Sequence, residues 1–370
     1  MSTGDLIHVV SNEQISANRK QLGRILIYGS FLVLLVVLAL QALDALGVVA
    51  LGFADWQPTA VAYVAWCVCL CVGQVLIRGE TGKRILFVLP SALFVVSLTV
   101  IPLVIGIAIA FADWNLSSPT GPKFAGLSNI ERMLHDEFYW NALGNMVWYC
   151  LAIVVELAVA FGLALLLNAQ IRARRFFRVA FLLPLMLSPV AVSSMIGRSL
   201  LDFRAGPVAD LMRMLGWQEP AFFATPELAK ITMTVLDAWI YIPFMMIMLL
   251  AGLQGLPGEV IEAAKVDGAS AWQAFRKIVF PLMLPVALTA FVVRLIFKLK
   301  LADLVITITG GGPGSATDTV TSFIYREYRD RSNVGYGTLL AMFYLVRSEE
   351  HTSELQSHLN LVCRLLLEKK

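Results

Sequence analysis

The chain has 370 residues, of which 58% are hydrophobic and 15% charged, a balance too apolar for a water-soluble domain and characteristic of a membrane protein. A formal net charge of +3 is small and gives no argument for nucleic acid as a partner. The N-terminus is polar for about twenty residues and then enters an apolar run too long for a signal-peptide core, so no cleavable signal is expected.

A membrane span needs about twenty apolar residues. Seven stretches qualify: residues 25–46, 59–77, 85–111, 142–167, 179–200, 228–253 and 286–308. An eighth begins near Tyr336 and stops early, at about Val346. The expected fold is therefore all-α, a polytopic transmembrane helical bundle of about eight spans with the last truncated. Basic residues cluster in alternate loops. Arg19, Lys20 and Arg24 precede the first span, and Arg78, Lys83 and Arg84 follow the second. Arg172, Arg174, Arg175 and Arg178 follow the fourth, and Lys265, Arg276 and Lys277 follow the sixth. The positive-inside rule makes that side the cytoplasm and puts the N-terminus there. The opposite loops are mostly longer and carry Trp114, Trp140 and Trp217 near the expected interfaces.

The loop between the sixth and seventh spans is a polar island that reads as two short helices. Pro257 suits a first helical position, and Glu259 and Glu262 lie near that helix's positive end. Gly268 is a natural stop, because glycine accepts the left-handed conformation that ends helices. Ser270 and Gln273 have capping-box spacing for a second helix, on which Trp272, Phe275 and Val279 make one apolar face. Pro281 and Pro285 punctuate the entry to the seventh span. Such a helical hairpin with an aromatic face, held between spans, reads as a docking element for another subunit.

This loop resembles the EAA loop of ABC-importer permeases. Glu262, Ala263 and Ala264, then Gly268 after three residues, Ile278 after nine and Pro281 after two more occupy the motif's places. Phe280 stands where leucine is usual. A second stretch, Thr309-Gly-Gly-Gly-Pro-Gly-Ser-Ala-Thr317 followed by Ile324 and Tyr325, resembles the carbohydrate-importing branch of that family. The resemblance implies that the loop is cytoplasmic and fits a cleft in an ATPase subunit, with Asp267, Trp272 and Phe275 on the same docking surface. It also implies partners: an ABC ATPase dimer, a second permease subunit, and a periplasmic or lipid-anchored solute-binding protein that delivers a sugar or polyol. No cofactor is expected on this chain; ATP and magnesium would be used by the partner ATPase.

No catalytic set is evident. Gly79-Glu-Thr-Gly-Lys83 lacks the glycine interval and the hydroxyl residue of a phosphate-binding loop. The histidines His8, His135, His351 and His358 are scattered, and Cys67, Cys69 and Cys71 cannot share one helix face. No metal site is expected. Ionisable residues within spans carry more information, because charge in hydrocarbon is expensive. Glu156, Asp237, Arg294 and Lys298 are deep in spans; Lys300 and Asp303 are nearer an end. Asp237 lies beside Trp239, Tyr241 and Pro243. Asp237, Trp239, Tyr241, Glu156 and Arg294 are candidates for a translocation path suited to polyhydroxylated solutes, or for intersubunit pairing. Pro184, Pro189 and Pro243 are candidate interruptions of the core helices, either on the solute route or architectural. The expected organisation is a cytoplasmic N-terminus with an accessory two-span hairpin (1–84), a permease body (85–346) and a non-native tail (347–370). The tail resembles a translated sequencing adapter, with at most a helix over residues 361–367. The competing class is an ion-coupled secondary transporter, which would need coupling carboxylates at midplane and no ATPase-docking loop.

Overall fold

The computed structural model describes residues 16–45, 55–119, 121–169 and 172–346. The tail that begins at residue 347, and the helix expected at 361–367, lie outside the described residues. Among the described residues six helices are long and apolar enough to cross a membrane, and a bent helix pair makes a seventh candidate. The chain divides into two compact units at residues 105 and 106, inside the third long helix.

The first unit contains α1 (Ala17–Ala45), α2 (Gln57–Arg78), the short α3 (Glu80–Leu86) and most of α4 (Leu89–Ala110). α1 and α2 meet where both carry glycine. A Cβ on Gly73 would fall within 2.5 Å of Ile27, and one on Gly23 within 2.8 Å of Ile77. Small residues that admit close backbone approach are the usual means of packing helices in lipid, where the hydrophobic effect cannot drive association. The third expected span is α4, which begins four residues later than expected, after a turn at Phe87 and Val88.

The second unit runs through α5 (Ser128–His135), α6 (Glu137–Asn168), α7 (Arg174–Met186), α8 (Pro189–Leu200), α9 (Pro207–Met214) and α10 (Pro226–Gln254). α11 (Gly258–Val266) follows, then α12 (residues 271–299), α13 (Asp303–Ile308), α14 (Val320–Arg329) and the short apolar α15 (Val334–Val346). The only strands among the described residues are a two-residue antiparallel pair, Ala112–Asp113 with Lys123–Phe124. α6 begins five residues before the expected span because Asp136 caps it, accepting from the backbone N–H groups of Phe138 (3.0 Å) and Tyr139 (3.3 Å).

Two expectations about spans are corrected. The fifth span is not straight: α7 and α8 meet at 93°. Leu187 and Ser188 are extended between them, since the residue before a proline is pushed out of the helical region, and Pro189 then opens α8. Pro184 and Pro243 sit inside α7 and α10 without breaking them. The seventh span runs to Ile308 as expected but is interrupted: α12 ends at Leu299, whose carbonyl is taken by side chains, accepting from Tyr344 OH (2.8 Å) and Thr321 Oγ1 (3.0 Å), and α13 resumes at Asp303.

The core of this unit is formed by α6, α10 and α12. Ala160 and Ala164 of α6 pack with Met245, Met246 and Leu249 of α10 and with Met283, Ala287 and Ala290 of α12. Gly252 lets α10 and α12 approach; a Cβ there would lie 2.9 Å from the Met283 methyl.

Candidate functional site: a polar loop continuous with a buried charge network

The loop after α10 forms the two helices that its spacing predicts. α11 ends as glycine-terminated helices do. Gly268 has φ +76°, its N–H donates to Lys265 O (3.1 Å), and Ala269 N–H donates to Ala264 O (2.9 Å). No atom lies within 4 Å of a Cβ built on Gly268, so only backbone conformation demands glycine there. Ser270 and Gln273 form both halves of the capping box, at 3.3 and 2.8 Å. Pro257 stands one position earlier than expected, at the N-cap, with helix beginning at Gly258.

The second helix differs more. It does not end before the seventh span; it is the start of α12. Ala271–Ala274 pass into a wide turn at Phe275–Val279 and then into Phe280–Leu299. In the wide turn Phe280 N–H reaches back to Phe275 O. Such i→i+5 turns are inserted into helices without ending them, and this one lies directly before Pro281, which has no N–H to give. Pro281 and Pro285 therefore ride within the helix rather than break it.

The expected aromatic face of this helix splits in two. Phe275 and Val279 turn inward onto the α6–α10–α12 core, with the Phe275 ring 5.7 Å from Phe161 in an edge-on arrangement. Trp272 stacks on Phe275 at 5.6 Å yet remains 66% exposed, and Val266 is 87% exposed. Glu262, Ala263, Asp267 and Gly268 are exposed, Ile278 is half-buried, and Ala264 packs inward. Exposed charge beside exposed apolar surface is the composition of a protein-binding face.

About six turns along the same helix, α12 enters a network of buried charges. Arg294 Nε donates to Glu156 Oε2 (2.8 Å), and Lys298 Nζ donates to Glu156 Oε1 (2.8 Å). Arg294 and Lys298 also both bond Asp237 Oδ2. Glu156 comes from α6, Asp237 from α10, and the two cations, one turn apart, from α12. All four side chains are at most 3% exposed. Two carboxylates meet two cations, so the network is neutral, which is how ionisable groups are tolerated at this depth. The Arg294 guanidinium also lies 4.3 Å over the ring of Tyr241, and Lys298 Nζ lies 5.9 Å from the Tyr149 ring centre.

The network continues toward the glycine-rich segment. Tyr149 OH donates to Thr317 O (3.3 Å), and Asn145 Nδ2 donates to Ser315 O and Asp318 O (both 3.0 Å). Asn141 Nδ2 donates to Ser315 O at 2.7 Å. Asn141, Asn145, Tyr149 and Glu156 thus form a polar stripe along one face of α6. The glycine segment folds tightly because Gly310, Gly311 and Gly314 all have positive φ, and a Cβ on Gly311 would lie 2.8 Å from the Asp318 carboxylate. Asp318 is itself buried, accepts from Ser322 Oγ (2.6 Å) and pairs with Arg326.

Of the five path candidates, four converge: Glu156, Asp237 and Arg294 in the network, with Tyr241 against Arg294. Their pairing lies within the chain. Trp239 does not join them. Two residues on from Asp237, it points to another face of α10, where it is 41% exposed and lines an apolar groove of about 610 Å³ with Trp148, Val155 and Ile242; of the network residues, Glu156 alone borders that groove. Lys300 and Asp303 are exposed beyond the end of α12 and take no part. Sequence reasoning named Lys298 as an intramembrane charge but did not single it out; its four-residue spacing from Arg294 was the available signal. The α6 stripe was missed, although its Asn141–Asn145–Tyr149 spacing was equally readable. Among the described residues no cluster of histidine, cysteine and carboxylate could hold a metal ion.

Comparison with known proteins gives a consistent result. The family of binding-protein-dependent transport system inner membrane components matches residues 157–347, a segment that holds the polar loop, all of α12 and the glycine segment. The sulfoquinovosyl glycerol transport system permease protein SmoG of Agrobacterium fabrum is 32% identical over 267 residues, 71% of this chain and 86% of its own. The probable starch degradation products transport system permease protein AmyD of Thermoanaerobacterium thermosulfurigenes is 30% identical over 265 residues, 70% of this chain and 89% of its own. Among solved structures, a chain of a bacterial ABC transporter involved in the import of the acidic polysaccharide alginate shares the fold, with TM-score 0.65 at 21% identity over 74% of this chain and 93% of that one. On the extent of the family match, the chain belongs to the binding-protein-dependent transport system inner membrane components and is a multi-pass permease subunit of an ABC transporter, a transport component and not an enzyme.

Proposed function

We propose that this permease imports a sugar, polyol or related polyhydroxylated solute, with energy from ATP hydrolysed on a separate ATPase dimer. The observation that carries the solute class is that several similar permeases are named for carbohydrate solutes: starch degradation products, sulfoquinovosyl glycerol, and trehalose or maltose in a permease of Thermococcus litoralis that is 30% identical over 224 residues. Solute is delivered by a periplasmic or lipid-anchored binding protein; a related alginate transporter has been crystallised with its periplasmic protein bound to a pentasaccharide. A second permease subunit completes the path. The ion-coupled reading gains nothing from the geometry, because Glu156 and Asp237 are each paired with two cations.

The basic loops support an inner-membrane orientation with the N-terminus and the Glu262 loop in the cytoplasm. There Glu262 offers a negative charge to a basic group of the ATPase, beside Ala263, Ala264, Asp267 and Gly268, and Trp272 supplies the apolar contact. Phe275, Ile278 and Pro281 seat that surface on α12. Trp239 lines the solute path, and the Glu156–Asp237–Arg294 network with Tyr241 holds its wall. Residues 85–346 are the permease body, and the N-terminal hairpin is an accessory.

The test of the solute class is calorimetry on the binding protein that delivers solute to this permease, titrated with sugars, polyols and, as controls, amino acids and oligopeptides. Saturable binding confined to sugars or polyols is the expected result. Binding confined to amino acids or peptides would overturn the solute class and leave the permease assignment standing.

A further inference from the structure

The described residues of the first unit carry nine charged side chains, divided by sign between its two ends. Asp44 and Asp55 lie at the end where α1 gives way to α2. All six cations lie at the other: Arg19, Lys20 and Arg24 in the first turns of α1, Arg78 in the last turn of α2, and Lys83 and Arg84 on α3. Three glycines bring these helix ends together. A Cβ on Gly23 would lie 3.0 Å from both Gly73 O and Leu76 Cβ, which sets the stretch from Lys20 to Arg24 beside the end of α2. Gly79, with φ +57°, ends α2 and turns the chain back. A Cβ on Gly82 would run into Gln74 O, so α3 folds against the same end. Among the described residues of this unit only Glu80 offsets the cations, through an ion pair with Lys83. The first turn of α1 holds no acidic residue, so its cations stand at the positive end of the helix dipole, where positive charge is disfavoured. All six except Arg78 are exposed. The apolar run of α1 begins at Ile25 and that of α2 stops at Ile77, so the cations share one level, the boundary between hydrocarbon and water. Tyr28, exposed one turn from Arg24, suits the headgroup level.

We propose that this cationic end of the hairpin is a binding site for an anionic phospholipid, whose headgroup phosphate is shared by cations from all three helices. Like charges held together by packing repel one another unless an anion lies between them, and at the hydrocarbon boundary the anion at hand is lipid phosphate. Arginine suits the task, because its planar fork takes two phosphate oxygens at once. Each cation beside an anionic lipid surface strengthens binding about fivefold. Because the glycine contacts fix the three helix ends relative to one another, the cations converge on one headgroup instead of attracting the surface diffusely. The site thus holds the hairpin, which lies outside the family match, to one membrane face through a lipid. It stands independently of the solute class and of the docking loop.

The experiment uses the whole complex in phosphatidylcholine vesicles, with the permease's cysteines replaced and a bimane fluorophore at Phe87→Cys. Phe87 follows α3 directly and is 89% exposed. A control label at Val104→Cys, also exposed, lies toward the far end of α4. The probe is phosphatidylglycerol brominated high on its acyl chains, a minor component of the vesicles, compared with the same amount of brominated phosphatidylcholine. At residue 87 the anionic lipid is expected to quench about threefold or more efficiently than the neutral one, and at residue 104 the two should quench equally. The triple change Arg19→Gln, Lys20→Gln and Arg24→Gln should bring the ratio at residue 87 close to unity. Quenching there by brominated phosphatidylcholine should be unchanged, which shows that the hairpin still enters the bilayer. Arg78→Gln with Arg84→Gln, on the other two helices, should do the same and keeps the test decisive if the triple variant does not accumulate. An excess of soluble glycerol phosphate should leave the ratio in the unaltered charge background intact. Equal quenching by the two lipids at residue 87 overturns the proposal, as does an equal anionic preference at residues 87 and 104. A preference that survives in either charge variant overturns it too. Displacement by soluble glycerol phosphate would assign the cations to a free phosphate and not to a lipid, and would overturn it as well.

Discussion

Gly268 is the clearest single-residue test of the docking loop. Its φ of +76° lies in the left-handed region, where a side chain costs roughly 1–2 kcal/mol, more for a β-branched one. Because a Cβ there meets open space, the penalty is purely one of backbone conformation. Gly268→Val is expected to abolish ATP-coupled uptake while membrane insertion, read by protease protection and detergent extraction, is unchanged. Gly268→Asn, which tolerates the left-handed region, should retain a substantial part of uptake. Equal loss in both would point to the glycine surface rather than its conformation. Asn145 gives a second test at this scale. It is buried and holds two carbonyls of the glycine segment; Asn141 still reaches Ser315 O, so Asn145→Ala leaves Asp318 O short of a donor and should cost about 1–3 kcal/mol. A lowered melting temperature of the detergent-solubilised complex is the expected reading.

Between elements, Asp237 and Trp239 separate cleanly. They are two residues apart on α10 and were grouped by proximity in sequence, but the helix turns them to different faces. Asp237→Ala leaves Arg294 and Lys298 sharing one carboxylate in the interior, a loss of about 3–5 kcal/mol when one member of a buried pair is removed. Its first effect should be less permease in the membrane, seen by immunoblot. Trp239→Ala shortens a half-exposed groove residue, so permease level should hold while uptake falls. Equal loss of protein in both variants would remove the distinction. The same contrast shows what was legible. The spans, the alternation of basic loops, the glycine stop and the capping box all follow from local rules of length, charge and backbone preference, and they were readable. The continuity of α12 through Pro281 was not, because a proline usually ends a helix and only the wide turn before it spares the next one. The four-charge network was half-readable. Each charge was visible as an intramembrane anomaly, but which helices face one another is set by packing of Ala160, Ala164, Gly252 and Ala287, and no spacing within one span reports that.

For the whole molecule, the family match covers residues 157 to 347, and the α1–α2 hairpin lies outside it. Its helices pack through Gly23 and Gly73 within their own unit. Gly73→Leu should therefore disturb the hairpin, measurable as increased labelling of Cys69 and Cys71 by a membrane-permeant thiol reagent, with uptake retained. Loss of uptake would make the hairpin part of the transport path and not an accessory. On the function proposed above, this chain moves a carbohydrate on ATP hydrolysed by a partner docked at the Glu262 loop. It is tested by uptake into proteoliposomes containing this permease with its partner ATPase, second permease and binding protein. Radiolabelled sugar bound by that binding protein is supplied outside and ATP is enclosed. The account predicts uptake that requires both ATP and the binding protein, is insensitive to protonophores and sodium removal, and is lost in Gly268→Val. Uptake that persists without ATP and follows an imposed proton or sodium gradient would contradict it.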